Sequence, residues 1–386
     1  MVYLKGKVKT FVVRRKKLYV MKIPNLAIKG FTLEHCLFQG GMGVGVSLAE
    51  LAGAVSKEDG LGIISSAGLR TIVSLRDRKA VDTYTAVRIE LERAQDLSGG
   101  CPIGINVMCA LVGDYEDTIR ASIDAGVGAI ISGAGLPLGL PGIKPPGNTA
   151  LIPIISSARA LEIIVKRWGR LYYRPDAVVL EGPLAGGHLG FRISEVDDPE
   201  FALEKLLPPV LDVAHRYGDF PVIVAGGIYT NQDIERFLAM GASGVQMATR
   251  FLVTHESSAT PEYKQAVIDA GKDDITVVAF PESVPASPCG LPFRIIKKGS
   301  PAYTKTRPPR CNRGYVLQRG PEGKLSVCQA MPGSPNSDKF FCICNNLLAS
   351  AGYDSTESPL YTVGSNAYRV DRTCSVAELM KELCGK

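Results

Sequence analysis

Short apolar runs rich in β-branched residues recur along the chain and alternate with segments in which apolar side chains return every three or four positions. Eight runs read as strands: His35–Gln39, Leu61–Ser65, Pro102–Val107, Ala129–Ser132, Leu151–Ile155, Ala177–Leu180, Pro221–Ala225 and Gly244–Met247. Helical periodicity falls between several of them, over Leu48–Ser56, Tyr115–Ala125, Ala158–Trp168, Phe201–Tyr217 and Asn231–Met240. Strand and helix in alternation predict an α/β protein with a parallel sheet covered by helices. Eight units are the number that closes such a sheet into a (β/α)8 TIM-type barrel. A doubly wound open sheet is the alternative, and in both architectures a ligand lies at the carboxyl ends of the strands.

The segments that follow the predicted strands are unusually rich in glycine. GGMGVGVS follows the first, GAGLPLGLPG the fourth, EGPLAGGHLGF the sixth and GGIYTN the seventh. Any tight turn can use glycine, so each loop alone says little. Four at one end of a barrel predict positive φ angles or close approach to a flat ligand. The seventh and eighth units add a phosphate logic. Gly226 and Gly227 precede a predicted helix at Asn231, and Gln246-Met247-Ala248-Thr249-Arg250 ends the eighth strand, where barrels commonly hold a phosphate near backbone N–H groups. Thr249 offers a hydroxyl; Arg250 offers charge to an anion or an ion pair outside the barrel.

Charge alters the picture only locally. The chain of 386 residues has a formal charge of +6, but Lys5, Lys7, Lys9, Arg14, Arg15, Lys16 and Lys17 occur in the first twenty residues without an acid, leaving the rest near neutral. Residues 1–20 read as a basic arm or as an extension upstream of a natural start at Met21. No basic stripe interleaved with aromatics follows, so nucleic acid is not an expected partner. No apolar run approaches the ~18 residues of a membrane span and no signal peptide is evident, which predicts a cytoplasmic protein without a membrane partner.

Only four histidines occur. His35 opens a strand, His215 lies in a helical pattern and His255 among polar loop residues. His188 alone stands in a glycine-rich loop at the predicted ligand end, where an imidazole can take a proton from carbon α to a nitro group or, protonated, hold an anion.

Taken together FQGGMG, GINVM, SGAG, AGGH-LG, VAGGI and QMATRF, in this order between about Met21 and Phe293, resemble the nitronate monooxygenase family, formerly called 2-nitropropane dioxygenases. The resemblance implies a TIM barrel over residues 21–285, one non-covalent FMN, and oxidation of an alkyl nitronate or nitroalkane by O2 to a carbonyl compound and nitrite. It also implies that Gln39, Gly41, Met42, Gly43, Asn106, Gly133, Glu181, Gly187, Gly226, Gly227, Met247, Ala248 and Thr249 hold the flavin and that His188 is catalytic. Ala248 stands where many members have glycine, and Leu184 where a common form has an acid. FMN-dependent enoyl-acyl carrier protein reductases, which use NAD(P)H, resemble the same motifs and form the alternative. Leu136, Leu138 and Leu140, between four prolines, are candidates for an apolar lid. An oligomer is left open.

Residues 286–386 form a predicted cysteine-rich module packing on the barrel, with seven of the ten cysteines. Cys311, Cys328, Cys342 and Cys344 supply four thiolates, the number needed by an iron–sulfur cluster or a structural zinc, with uncoordinated thiols as the competing reading.

Overall fold

Eight short strands, Leu37–Gln39 (β1), Gly62–Ser65 (β2), Ile103–Met108 (β3), Ala129–Gly133 (β4), Ala150–Ile155 (β5), Val178–Glu181 (β6), Val222–Ala225 (β7) and Gly244–Met247 (β8), form one parallel sheet. A computed structural model describes residues 22–297, 300, 318–319, 325–326, 328–330, 334 and 337–385. The basic segment 1–20 and Cys311 lie outside the described residues.

Each strand pairs with its sequence neighbour, and β8 pairs with β1. The ring closes between β1 and β2 at a single parallel bridge, Phe38 opposite Leu61. There the Leu61 N–H donates to Leu37 O at 2.9 Å and the Gln39 N–H to Leu61 O at 2.9 Å. Strands covered on both faces need no polar alternation, and β2, β4 and β7 are buried at every residue. The expected barrel is therefore the observed fold, and all eight strands lie at their expected runs.

Three units depart from strict alternation, one of them by the short outer strand between β6 and β7 described below. Between β2 and β3 stand two helices, Leu69–Arg76 and Thr83–Ser98, the second capped by Asp82, whose carboxylate accepts the Thr85 N–H at 2.7 Å. Between β4 and β5 there is only a one-turn 3-10 helix, Leu140–Gly142. Pro137, Pro141, Pro145 and Pro146 each lack the N–H that a helix interior needs. The loop is anchored instead by the buried Trp168, whose indole N–H donates to Pro137 O at 2.9 Å.

A second, antiparallel sheet lies beyond the barrel rim, with Phe293–Ile296 between Ile275–Val278 and the two-residue strand Gly187–His188. Nothing in the periodicity announced it, because two residues carry no period.

The C-terminal helix Val376–Cys384 opens on a capping box between Ser375 and Glu378. It buries Leu379, Met380 and Leu383 in the same apolar cluster as the barrel. It packs on Ala49–Lys57 and Asn231–Ala239, and Asn231 Nδ2 donates to Leu383 O at 2.8 Å. No helix among the described residues is long and apolar enough to cross a membrane.

Candidate active site

A cavity of about 760 Å³ opens at the carboxyl ends of the strands. The loop after β1 contributes Gly41, Met42 and Gly43; β3 and β4 contribute Asn106 and Gly133. Glu181 ends β6, and Gly187 and His188 follow it on the outer sheet. Gly226 follows β7, and Met247, Ala248 and Thr249 close the circuit at β8. Residues up to 208 positions apart in the chain thus share one wall because parallel strands end together.

Two expected residues are not on that wall. Gln39 is fully buried, and its amide is consumed internally: Nε2 donates to Gly40 O and, at 2.9 Å, to Ser47 Oγ, while Oε1 accepts the Ile63 N–H at 3.1 Å. It fixes the loop rather than facing the cavity. Gly227 accepts Asn366 Nδ2 at 2.6 Å and packs under Leu184.

The glycines answer to the protein's own chain as well as to a ligand. A Cβ on Gly41 would stand 2.5 Å from the Cβ of Asn106, so the first loop lies directly on β3. Gly226 has φ of 100°, and a Cβ there would stand 2.9 Å from Gly182 O in the loop after β6.

Residues far from the barrel in sequence complete the wall. Thr362, Val363, Gly364 and Asn366 line it, and Ile343, Cys344 and Leu347 come from the helix Ile343–Ser350. The Gly364 N–H donates to Thr249 Oγ1 at 2.9 Å and the Ser365 N–H to Leu184 O at 3.1 Å. This strap lies over the region expected to hold a phosphate, and nothing in its local sequence pointed there. Arg250 takes the second of its two expected roles: it grips Glu382 of the C-terminal helix through two bonds of 2.7 and 2.9 Å.

His188 Nε2 lies 3.1 Å from Ser287 Oγ, and its ring meets Phe293 edge-on at 4.6 Å. Burial pulls its pKa down to about 4, so the imidazole is neutral at pH 7. A standing imidazolium, one of the two roles expected from sequence, does not fit that burial. Glu181 responds the other way: burial pushes its carboxyl up to about 7. The loop between them is held by Arg294, a buried residue that sequence reasoning passed over. Its guanidinium donates to the carbonyls of Pro183 (2.7 Å) and Ala185 (2.5 Å), and burial pulls its pKa down to about 10, with Asp197 acting against the fall.

Gln246 is the other residue missed. Its Oε1 is buried without a hydrogen-bond partner among the described residues, and the residue lines the cavity. The Asn106 amide, also on the wall, makes no side-chain hydrogen bond among the described residues. Buried polar atoms left unpaired are rare, and Gln246 Oε1 is one, on the same glycine-walled space as the half-buried Asn106. That combination fits a flat heterocycle with hydrogen-bonding edges, as a flavin is.

The expected thiolate cluster is not gathered among the described residues, and Cys311 lies outside them. Among the described residues no group of three or more His, Cys, Asp or Glu side chains gathers as a metal would require. Cys328, Cys342 and Cys344 are described and buried; Cys311 is not described. Cys342 caps the helix that contains Cys344, and positions two apart at a helix start do not face each other.

A closed parallel barrel with a glycine-walled chamber at the carboxyl ends of its strands is the architecture of a TIM-barrel enzyme. The nitronate monooxygenase profile matches residues 25–386, and the chain belongs to that family of flavin-dependent oxidoreductases. It is 29% identical over 265 residues to (3aS,4S,5R,7aS)-5-hydroxy-7a-methyl-1-oxo-octahydro-1H-indene-4-carboxyl-CoA dehydrogenase of Mycobacterium tuberculosis, covering 69% of this chain and 64% of that protein, so the match spans less than two thirds of the relative. It is 26% identical over 270 residues to a probable nitronate monooxygenase of Bacillus subtilis, covering 65% of this chain and 75% of the relative. Among solved structures, FabK from Thermotoga maritima superposes with a TM-score of 0.64 at 22% identity, covering 92% of both chains. A nitroalkane oxidase from Streptomyces ansochromogenes gives 0.63 at 22%, covering 92% of this chain and 95% of its own. At such identities the two structures speak for the fold alone.

Proposed function

We propose that this protein binds FMN in the barrel cavity and oxidises an alkyl nitronate with O2 to a carbonyl compound and nitrite. The observation that carries the reading is His188: a neutral imidazole on the cavity wall with one nitrogen already engaged by Ser287. Bound FMN would supply the redox chemistry. The chain's part is to hold and prepare the substrate. Because Nε2 faces Ser287, Nδ1 is the nitrogen left to meet a substrate. For Nδ1 to take a proton from carbon, Nε2 must carry hydrogen and donate it to Ser287 Oγ. Asn106 and Gln246 would hold polar edges of the flavin; Gly226, Ala248 and Thr249 would receive its phosphate. Leu136, at the cavity edge, and the proline-stiffened loop behind it would limit water.

A second reading, reduction of a thioester-conjugated alkene with NAD(P)H as in enoyl-acyl carrier protein reductases, is supported by the M. tuberculosis relative, whose name gives a CoA-linked substrate. Anaerobic titration separates the two. Propane-2-nitronate should bleach the flavin absorbance under nitrogen; bleaching by NAD(P)H and not by nitronate would reverse the order of the readings. His188→Asn should lose roughly 10²-fold or more on neutral 2-nitropropane and far less on the preformed nitronate. Equal losses on both would remove proton abstraction from the role of His188.

A further inference from the structure

On the far side of Tyr229 and Arg250 from the main chamber lies a second cavity, of about 240 Å³. At roughly 30 Å³ per water it has room for about eight waters, enough for a phosphate and part of a sugar. Tyr229 and Arg250 line both cavities. The remaining wall comes from the turn after the strap, with Arg369, Asp371 and Arg372, and from Glu382 of the C-terminal helix.

The charges in this cavity are unevenly matched. Glu382 is already taken by both arms of Arg250. Arg369 and Arg372 have no carboxylate within ion-pair distance among the described residues, and Asp371 has no cation within that distance. The Arg369 guanidinium lies 4.2 Å from the centre of the Tyr229 ring, and that of Arg250 lies 4.8 Å from it. The Tyr229 hydroxyl donates to Arg369 O at 2.6 Å, which fixes the turn against the ring. Arg250 and Arg369 are stacked on the Tyr229 ring and Arg372 stands beside them, so three guanidiniums face two carboxylates, Glu382 and Asp371, and one positive charge is left over. A guanidinium fork matches a phosphate's oxygens with paired hydrogen bonds, and Arg369 and Arg372 offer two such forks, with Asp371 offsetting part of their charge.

We propose that this second cavity recognises a ribose phosphomonoester, the group carried by both coenzyme A and NADPH. A phosphate-bearing partner would add weight to the thioester reading of function, but the site itself is a matter of binding and does not depend on which substrate reduces the flavin.

Equilibrium binding to the flavin-loaded protein, measured by calorimetry without turnover, tests this directly. Two pairs are compared, NADPH with NADH and coenzyme A with 3′-dephospho-coenzyme A, with inorganic phosphate as competitor. One pair should show a preference of about tenfold or more for the phosphorylated member, the scale of a charge-assisted contact, and the pair that does so names the ligand. Arg372→Gln, at an exposed position without hydrogen bonds to lose, should erase most of that preference, and Arg372→Lys should restore part of it. Equal affinities within both pairs, including no binding of any member, would overturn the proposal. So would a preference that survives unchanged in both Arg369→Gln and Arg372→Gln. Nitronate turnover is recorded separately on the same protein, so a failed site and a failed functional reading give different results.

Discussion

His188 and Glu181 face one cavity and answer burial in opposite directions, which gives the protein a pH signature. The histidine falls from 6.5 to about 4 and the glutamate rises from 4.5 to about 7. Between about pH 4 and 6.5 the unfolded chain binds more protons at His188, so that residue makes stability fall as pH falls. Between 4.5 and about 7 the native chain binds more protons at Glu181, so that residue makes stability fall as pH rises. In the flavin-free protein the two slopes offset each other across the shared window. Glu181→Gln should therefore leave stability climbing from pH 4 to 6.5, and His188→Asn should leave it declining from 4.5 to 7, as read by urea denaturation at half-unit steps. Parallel pH curves for wild type and both variants would show that neither side chain is desolvated in the native state. His188 was legible in sequence because one histidine among four stood in a glycine loop. Gln246 and Arg294 were not: a glutamine in GVQM or an arginine in FRII has no visible orientation until the strand's neighbours assign its face.

At the scale of elements, each βα loop is packed against the next, and the glycines that sequence reading assigned to a ligand also serve that packing. Gly226→Ala would force a Cβ into a left-handed backbone position and against Gly182 O. Strain of that backbone and the displaced loop should together cost about 2–4 kcal/mol. We expect a lower melting temperature in the flavin-free protein as well as reduced flavin content on purification. Normal stability with flavin lost would instead assign the glycine wholly to the ligand. The loop between β4 and β5 follows the same local chemistry: four prolines preclude a helix, and the chain falls back on a side chain, Trp168, to hold it. Strands and helices were readable because each is a period sustained over several residues. The strand Gly187–His188 was unreadable because it exists only through its partner, Phe293–Ile296.

For the whole molecule, the C-terminal residues are part of the barrel's stability and of its site. Val376, Leu379, Met380 and Leu383 are all fully buried, and burying each such side chain is worth about 1.5–3 kcal/mol. Removing residues 375–386 would strip this layer from Ala49–Lys57 and Asn231–Ala239 and leave Arg250 without Glu382. The shortened chain should lose cooperative thermal unfolding and retain no flavin; a barrel that melts as before would mean that the helix is only an appendage.

What the sequence by itself determined is a parallel α/β sheet: eight apolar runs of strand length, separated by helical periods, bury their faces under helices, and parallel strands then place their glycine loops at one end, whereas closure into a barrel rather than an open sheet was decided by the pairing of β8 with β1 and the bridge from β1 to β2. Which of those loop residues face the chamber was decided by tertiary structure. Gln39 turned inward because its amide found Gly40, Ser47 and Ile63, and Gln246 faced the chamber because strand register put it there. The strap at Thr362–Asn366, the Arg294 clamp and the arginine cavity behind Tyr229 depend on contacts between segments more than a hundred residues apart. Local patterns record the preferences of neighbours along the chain, whereas long-range contacts arise only when the closed barrel brings distant backbone groups within hydrogen-bonding distance.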